Sequence, residues 1–335
     1  MSSDPFDPHH RSPPTARPEP VEGRGSVSLQ GSEGAGMNSQ PGRSCPLRYH
    51  YGPRAIAAVP LQQVHTLYVA GGLYGNTAAL AALLRMVAAE PGATLVFNGD
   101  FNWFNVRDAD FAHINQAVLQ HYALQGNVEA EFHTPGDEAD CGCAYPEAVD
   151  EAVVQRSNAI HRQLKATARR HPALLAQLAQ LPMVARFQVG EARVGVVHGD
   201  AQSLAGWGFD AAALQATDAV QRYAPWFDQA QVDLFACSHT CAPGLAVYGG
   251  QRAIVNNGAT GMPNRAGDLR GLVSRIALKP SPHPVWEEER PAAGVYVALL
   301  PVAYDTAAWA ADFEAQWPEG SAAALSYGKR MREGY

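Results

Sequence analysis

Short apolar runs alternate with glycine-led polar turns along this chain, and that alternation limits its fold more than any other feature. Thr66–Ala70 is one such run, ending in Gly71-Gly72. Five apolar-rich residues bounded by a glycine pair describe a buried strand entering a turn. Next, Leu80, Leu83, Leu84 and Val87 recur at helical spacing; Asn76 or Thr77 caps the start and Pro91-Gly92 ends the segment. Residues 94–98 form a second strand before Gly99-Asp100, a helix covers residues 108–121, and a short strand at 123–125 leads into Gly126-Asn127. This rhythm predicts parallel pairing, with polar residues gathered at the carboxyl ends of the strands, where open α/β sheets place ligands.

Helices at residues 148–170 and 172–180 separate this half from further strands at 184–189, 193–197, 232–236, 253–256, 271–278 and 295–302. Several of these lie only a few residues apart, which predicts antiparallel pairs joined by hairpins. The expected architecture is one α/β domain with two stacked sheets and helices outside. With 47% hydrophobic residues the chain has ample material for such a core. The longest apolar stretch, residues 295–303, contains Pro301 and reaches about half of the roughly 20 residues a spanning helix requires, so no membrane segment is expected.

Residues 1–44 hold seven of the 24 prolines and show no apolar period, which predicts a disordered tail before a domain at 45–335. The tail has no apolar central run, so a signal peptide is not expected. Its Arg-Pro-Glu-Pro-Val-Glu-Gly stretch, residues 17–23, resembles a translated bacterial repeat element and points to Met37 as the natural start. Five cysteines, Cys45, Cys141, Cys143, Cys237 and Cys241, make an odd and sparse set that suits a reduced cytoplasmic protein better than a disulfide framework. A net charge of −7 argues against general nucleic-acid binding, which depends on clustered Lys and Arg.

The turns carry the chemistry. In order they read Gly72-Leu73-Tyr74-Gly75-Asn76, Gly99-Asp100, Gly126-Asn127-Val128-Glu129, His198-Gly199-Asp200 and Ser238-His239-Thr240-Cys241. Brought to one sheet edge, such carboxylate, amide and imidazole groups form a mixed O/N donor set suited to Mn²⁺, Fe or Zn²⁺ rather than Ca²⁺. A single His beside Gly is more often a structural residue than a ligand; it is the ordered series that carries the signal.

That series resembles the calcineurin-like metallophosphoesterase superfamily, whose motifs are Asp-x-His, Gly-Asp, Gly-Asn-His-Asp/Glu, a single His and Gly-His-x-His. The similarity spans residues 66–260, and its first three motifs lie 28 and 27 positions apart, room for a helix and a strand between turns. Asn256-Asn257-Gly258-Ala259 is similar to the family's Asn-Pro-Gly-Ser. The resemblance implies a two-sheet αββα sandwich and a phosphoesterase, whether phosphatase or phosphodiesterase, acting on a phosphorylated small molecule or nucleotide. It also implies two metal ions bridged by Asp100. The first would use the positions occupied here by Gly72, Tyr74 and Cys241, and that set has lost its ligands. Gly offers no donor, Tyr is a poor ligand unless ionised, and Cys binds only as thiolate.

The second set, Asp100, Asn127, His198 and His239, keeps every residue type, and the resemblance implies that these four hold one ion and carry catalysis. Val128 replaces the family's acid-donating His, and valine transfers no proton. Glu129 is a candidate substitute acid or base and a candidate substrate contact, against the commoner reading of a solvated or salt-bridged carboxylate. Asn76 is a second candidate substrate contact. Cys141 and Cys143, with Cys241, could rebuild a thiolate site favouring Zn²⁺, or form a redox pair, or stay reduced. Trp103, Phe104 and Trp207 could stack on a nucleobase or pack in the core. Three functions follow: a reduced, single-metal phosphoesterase; a non-catalytic relative that binds a phosphorylated ligand or partner protein; or a metal enzyme of another, redox-linked kind.

Overall fold

The computed structural model describes residues 40–134, 140–291 and 294–334. Its strands are β1 (Leu61–Val64), β2 (Thr66–Ala70), β3 (Ala93–Phe97), β4 (Tyr122–Ala123), β5 (Val184–Val189) and β6 (Ala192–Val197) in the first part of the chain. Then come β7 (Leu234–Cys237), β8 (Gly244–Tyr248), β9 (Arg252–Asn256), β10 (Gly271–Ala277), β11 (Glu287–Glu289) and β12 (Tyr296–Val302). The helices are α1 (Gly52–Ala58), α2 (Thr77–Ala88), α3 (Asp108–Val118), α4 (Asn127–Glu131) and α5 (Glu151–Ala168). They continue with α6 (Pro172–Leu178), α7 (Ala211–Leu214), α8 (Ala219–Ala230), α9 (Thr306–Gln316) and α10 (Ala322–Glu333).

The strands form two six-stranded sheets, ordered β1-β5-β6-β7-β9-β8 and β11-β12-β10-β2-β3-β4. In the second sheet β2, β3 and β4 pair in parallel, as the strand–helix rhythm predicts. Antiparallel hairpins β5–β6 and β8–β9 appear where the spacing is short.

Alternation along the strands assigns the layers. On β2, Leu67 and Val69 face the first sheet and pack with Phe187, Val194, Leu234 and Val255 in the inter-sheet core. Tyr68 and Ala70 turn the other way, into a core made with Leu80 and Leu83 of α2, Phe111 of α3, Leu164 of α5 and Phe313 of α9. Outside the first sheet, Ile56 of α1 and Tyr223 and Phe227 of α8 cover Phe235 and Ile254. The result is the four-layer αββα sandwich expected.

Of the tail expected over residues 1–44, positions 1–39 lie outside the described residues. Residues 40–44 do not: Arg43 donates to the Pro146 and Val149 carbonyls and to the Glu151 carboxylate. No described helix is long and apolar enough to cross a membrane.

Candidate metal centre

All the polar turns singled out in the sequence lie at the carboxyl ends of parallel strands. Asp100 follows β3, Asn127 follows β4, His198 follows β6 and His239 follows β7. Two buried asparagines stitch the sheets together at this end. Asn98 donates to the Val197 carbonyl at 3.0 Å, and Asn257 donates to the Gly71 and Leu272 carbonyls at 3.0 and 3.1 Å.

Four side-chain atoms converge between the sheets. His198 Nε2 lies 3.4 Å from Asp100 Oδ2, 3.0 Å from Asn127 Oδ1 and 3.1 Å from His239 Nδ1. The hydrogen bonds on the far side of each group decide what these atoms are. His198 Nδ1 lies 2.9 Å from the Asn98 carbonyl, and His239 Nε2 lies 3.1 Å from the Cys143 carbonyl. A carbonyl only accepts, so both of those ring nitrogens carry their proton and the facing pair, Nε2 of His198 and Nδ1 of His239, present lone pairs. Asn127 donates from Nδ2 to the Cys141 carbonyl at 2.8 Å, which turns its oxygen inward.

Four acceptors thus meet with no donor among them. Ligands about 2.1 Å from one ion stand roughly 3.0–3.4 Å apart, the spacing from His198 Nε2 to each of the other three, so the donor set fits a divalent transition metal. Among the described residues, Asp100, His198 and His239 are the His, Cys, Asp and Glu side chains that gather closely enough to share an ion.

The groups of the cluster also shift one another electrostatically. Burial alone would raise the Asp100 carboxyl, but His198 and His239 outweigh it and hold it low. Burial likewise opposes a charged His198, yet Asp100 raises that imidazole, while burial and His198 drive His239 down to about 3.

At the position the resemblance assigns to a first ion, Gly72, Tyr74 and Cys241 form a plug. Gly72 has φ +63°, and a Cβ there would lie 2.8 Å from Tyr74 Cε2 and 3.0 Å from Tyr74 Oη. The tyrosine ring thus fills the space a side chain at 72 would take. Its hydroxyl and the Cys241 sulfur are hydrogen-bonded at 2.6 Å. Burial, then Cys241 and Asp100, push the Tyr74 phenol well up, and burial raises the Cys241 thiol, so both keep their protons at neutral pH. Cys241, considered as a ligand from sequence, thus turns its sulfur to Tyr74. Neither Cys141 nor Cys143 joins the Asp/His cluster.

The two candidate substrate contacts are both used inside the fold. Asn76 is fully buried, caps α2 by accepting from the Ala79 amide and donates to the Gly261 carbonyl. Glu129 is also fully buried, which overturns the expectation of a solvated or salt-bridged carboxylate. It accepts from the backbone amides of Asp100, Asn102 and Gly126 and from Asn102 Nδ2, and so holds the loop that presents Asp100. Burial, then Asp100, push its carboxyl up to about 7. Val128 is buried and apolar. Of the three aromatics, Trp103 and Phe104 are core residues, whereas Trp207 is half-buried and packs edge-on against His239.

Backbone strain concentrates here as well. Of the five described non-glycine residues at positive φ, Tyr74, Asp100 and Cys241 belong to the cluster and its plug, and Ala144 lies beside the Cys143 carbonyl. Such conformations cost about 1–3 kcal/mol each and persist where surrounding structure enforces them, often at functional sites.

Solved structures share this architecture. A metallophosphoesterase from Sphaerobacter thermophilus matches with a TM-score of 0.51 at 18% identity, over 81% of this chain and 100% of that chain. A hypothetical protein from Pyrococcus horikoshii OT3 matches with a TM-score of 0.56 at 13% identity, over 81% of this chain and 98% of that chain. No family model and no curated protein matches the sequence. At these identities the likeness is one of fold: the chain has the metallophosphoesterase fold.

Proposed function

We propose that this protein is a metal-dependent phosphoesterase-like hydrolase with a single-ion centre held by Asp100, Asn127, His198 and His239. Its substrate is a phosphorylated small molecule or nucleotide. The supporting observation is the meeting of four acceptor groups, three of them oriented from behind by backbone carbonyls and Asp100 by the Val128 amide. Mn²⁺, Fe or Zn²⁺ suits this donor set. When bound, the ion supplies positive charge to a phosphoryl oxygen and makes water acidic enough to act as a nucleophile near neutral pH.

The chain's own residues limit that chemistry. Val128 donates no proton, and Glu129 is committed to backbone amides, so nothing at the third motif assists a poor leaving group. General-acid help is typically worth about 10²–10⁴-fold. Hydrolysis is therefore slow and favours aryl phosphates, whose leaving groups need little protonation. Sparse, unpaired cysteines suit a cytosolic location for this activity.

The plug favours a second reading, a non-catalytic relative that binds a phosphorylated ligand or partner protein, with or without an ion. A single experiment separates the two. Purified protein is assayed for metal content and for hydrolysis of 4-nitrophenyl phosphate, beside the His198→Ala variant. The hydrolase reading requires turnover that needs both metal and His198. Turnover equal to the variant's selects the non-catalytic reading, and the absence of bound metal refutes the hydrolase reading.

A further inference from the structure

The strap at residues 140–145 lies against the cluster from behind two of its ligands, and none of its side chains belongs to the ligand set. Its backbone nevertheless touches that set twice. The Cys141 carbonyl accepts from Asn127 Nδ2 at 2.8 Å, and the Cys143 carbonyl accepts from His239 Nε2 at 3.1 Å. Trp207 donates its indole N–H to the same Cys143 carbonyl at 3.0 Å.

The strap is itself held from three sides. Asp140 Oδ1 accepts from the amides of Gly142 and Gly42. The Cys141 amide donates to Asn158 of α5 at 3.1 Å, and the Tyr145 amide donates to the Gly42 carbonyl. Gly142 passes at φ +67° so close to the site that a Cβ would lie 2.6 Å from Tyr49 Oη and 3.3 Å from Asn127 Cβ.

An asparagine or histidine is a metal ligand only when the correct atom faces the ion. Asn127 can offer oxygen or NH₂, and His239 can offer a lone pair or N–H; the partner behind each group decides. We propose that the 140–145 strap is the positioning element of the metal centre: its Cys141 and Cys143 carbonyls, the latter held by Trp207, turn Asn127 Oδ1 and His239 Nδ1 toward the ion. This rests on the single-ion reading above. The Cys-Gly-Cys sequence is therefore used for its backbone, with glycine permitting the close passage, and the thiols are not ligands.

The test is cobalt(II) titration of the full chain, followed by calorimetry and by the visible spectrum of the bound ion. Trp207→Phe keeps an aromatic ring beside His239 but removes the indole bond that holds the Cys143 carbonyl; affinity should fall about tenfold, with an altered cobalt spectrum. Gly142→Ala lifts the strap and should weaken binding by about 10–100-fold. Affinity is measured on folded protein, so a merely stabilising role would leave it unchanged. Unaltered affinity and spectrum in both variants, with normal binding by the wild type, overturn the positioning role alone. A wild type that binds no cobalt overturns the centre as well. Should both variants fail to fold, ¹⁵N shifts of the His239 ring in wild-type protein decide the matter: protonation at Nε2 supports the strap's role, and protonation at Nδ1 alone refutes it.

Discussion

Gly72→Ala tests whether the Tyr74 ring occupies the position of a lost ion. The backbone at 72 is left-handed, with φ +63°, and any Cβ there carries a penalty of about 1–2 kcal/mol. The new atom would also lie 2.8 and 2.9 Å from Cε2 and Cζ of a rigid ring, and forcing a packed ring aside costs about 1–3 kcal/mol more. Together the substitution should destabilise by about 2–5 kcal/mol. The second term depends on the ring and the first does not. In a Tyr74→Asn background, where a small αL-tolerant residue replaces the tyrosine, Gly72→Ala should therefore cost only about 1–2 kcal/mol. The assay is urea unfolding of the four proteins with a chelator present, closed as a double-mutant cycle. The expected coupling is about 1–3 kcal/mol, and effects that add to within about 0.5 kcal/mol would show that the ring does not fill the site.

Replacing Gly72→Asp, Tyr74→His, Val128→His and Cys241→His together should raise metal stoichiometry toward two ions and speed hydrolysis of unactivated esters, measured by elemental analysis and alkyl phosphate turnover. Asp100→Ala, His198→Ala and His239→Ala should each weaken metal binding by more than the roughly 10–100-fold loss that follows removal of a ligand's hydrogen-bond partner, as read by titration. Away from the centre, Arg275 is buried and pairs with Glu90; burial would raise that carboxyl, but hydrogen bonds from Arg275 and Tyr68 outweigh it and hold Glu90 at about 2. Because this pKa is depressed on folding, its stabilisation is present above about 4.5 and is lost as pH falls toward about 2. Glu90→Gln should remove about 2–3 kcal/mol at neutral pH and flatten that acid slope in urea melts.

The parts of this molecule legible in the sequence are those set by local pattern. The strand over Thr66–Ala70 and the Asn76 cap of α2 are found as expected, because a bounded apolar run and a capping side chain act on their immediate neighbours. Elements held by tertiary contact were not visible. Strand β1 alternates between half-buried and exposed with no apolar run, and α8 contains Pro225, which breaks the usual helical signal. At the centre, residue types singled out Asp100, Asn127, His198 and His239, whose side chains the fold brings together, and the departures at Gly72, Tyr74 and Cys241 were equally plain. What fills the space beside Gly72 was not, since only packing shows that the ring of Tyr74 occupies it. Glu129 was misjudged for the same reason. The surface habit of glutamate is a weak guide where three backbone amides need one acceptor, although the Gly126-x-x-Glu129 spacing, with glutamate three residues into α4, was an available signal. The carbonyls of Cys141 and Cys143 left no trace in side-chain identity.

The central claim is that one ion position survives and the other is closed by protein. It is tested most directly by the number of Mn²⁺, Fe²⁺ or Zn²⁺ ions bound per chain at saturation, in the wild type and in His198→Ala. One ion in the wild type, and none or a weakly held one in the variant, is the expected result. Two ions in the wild type, or one retained with full affinity after loss of His198, would contradict it.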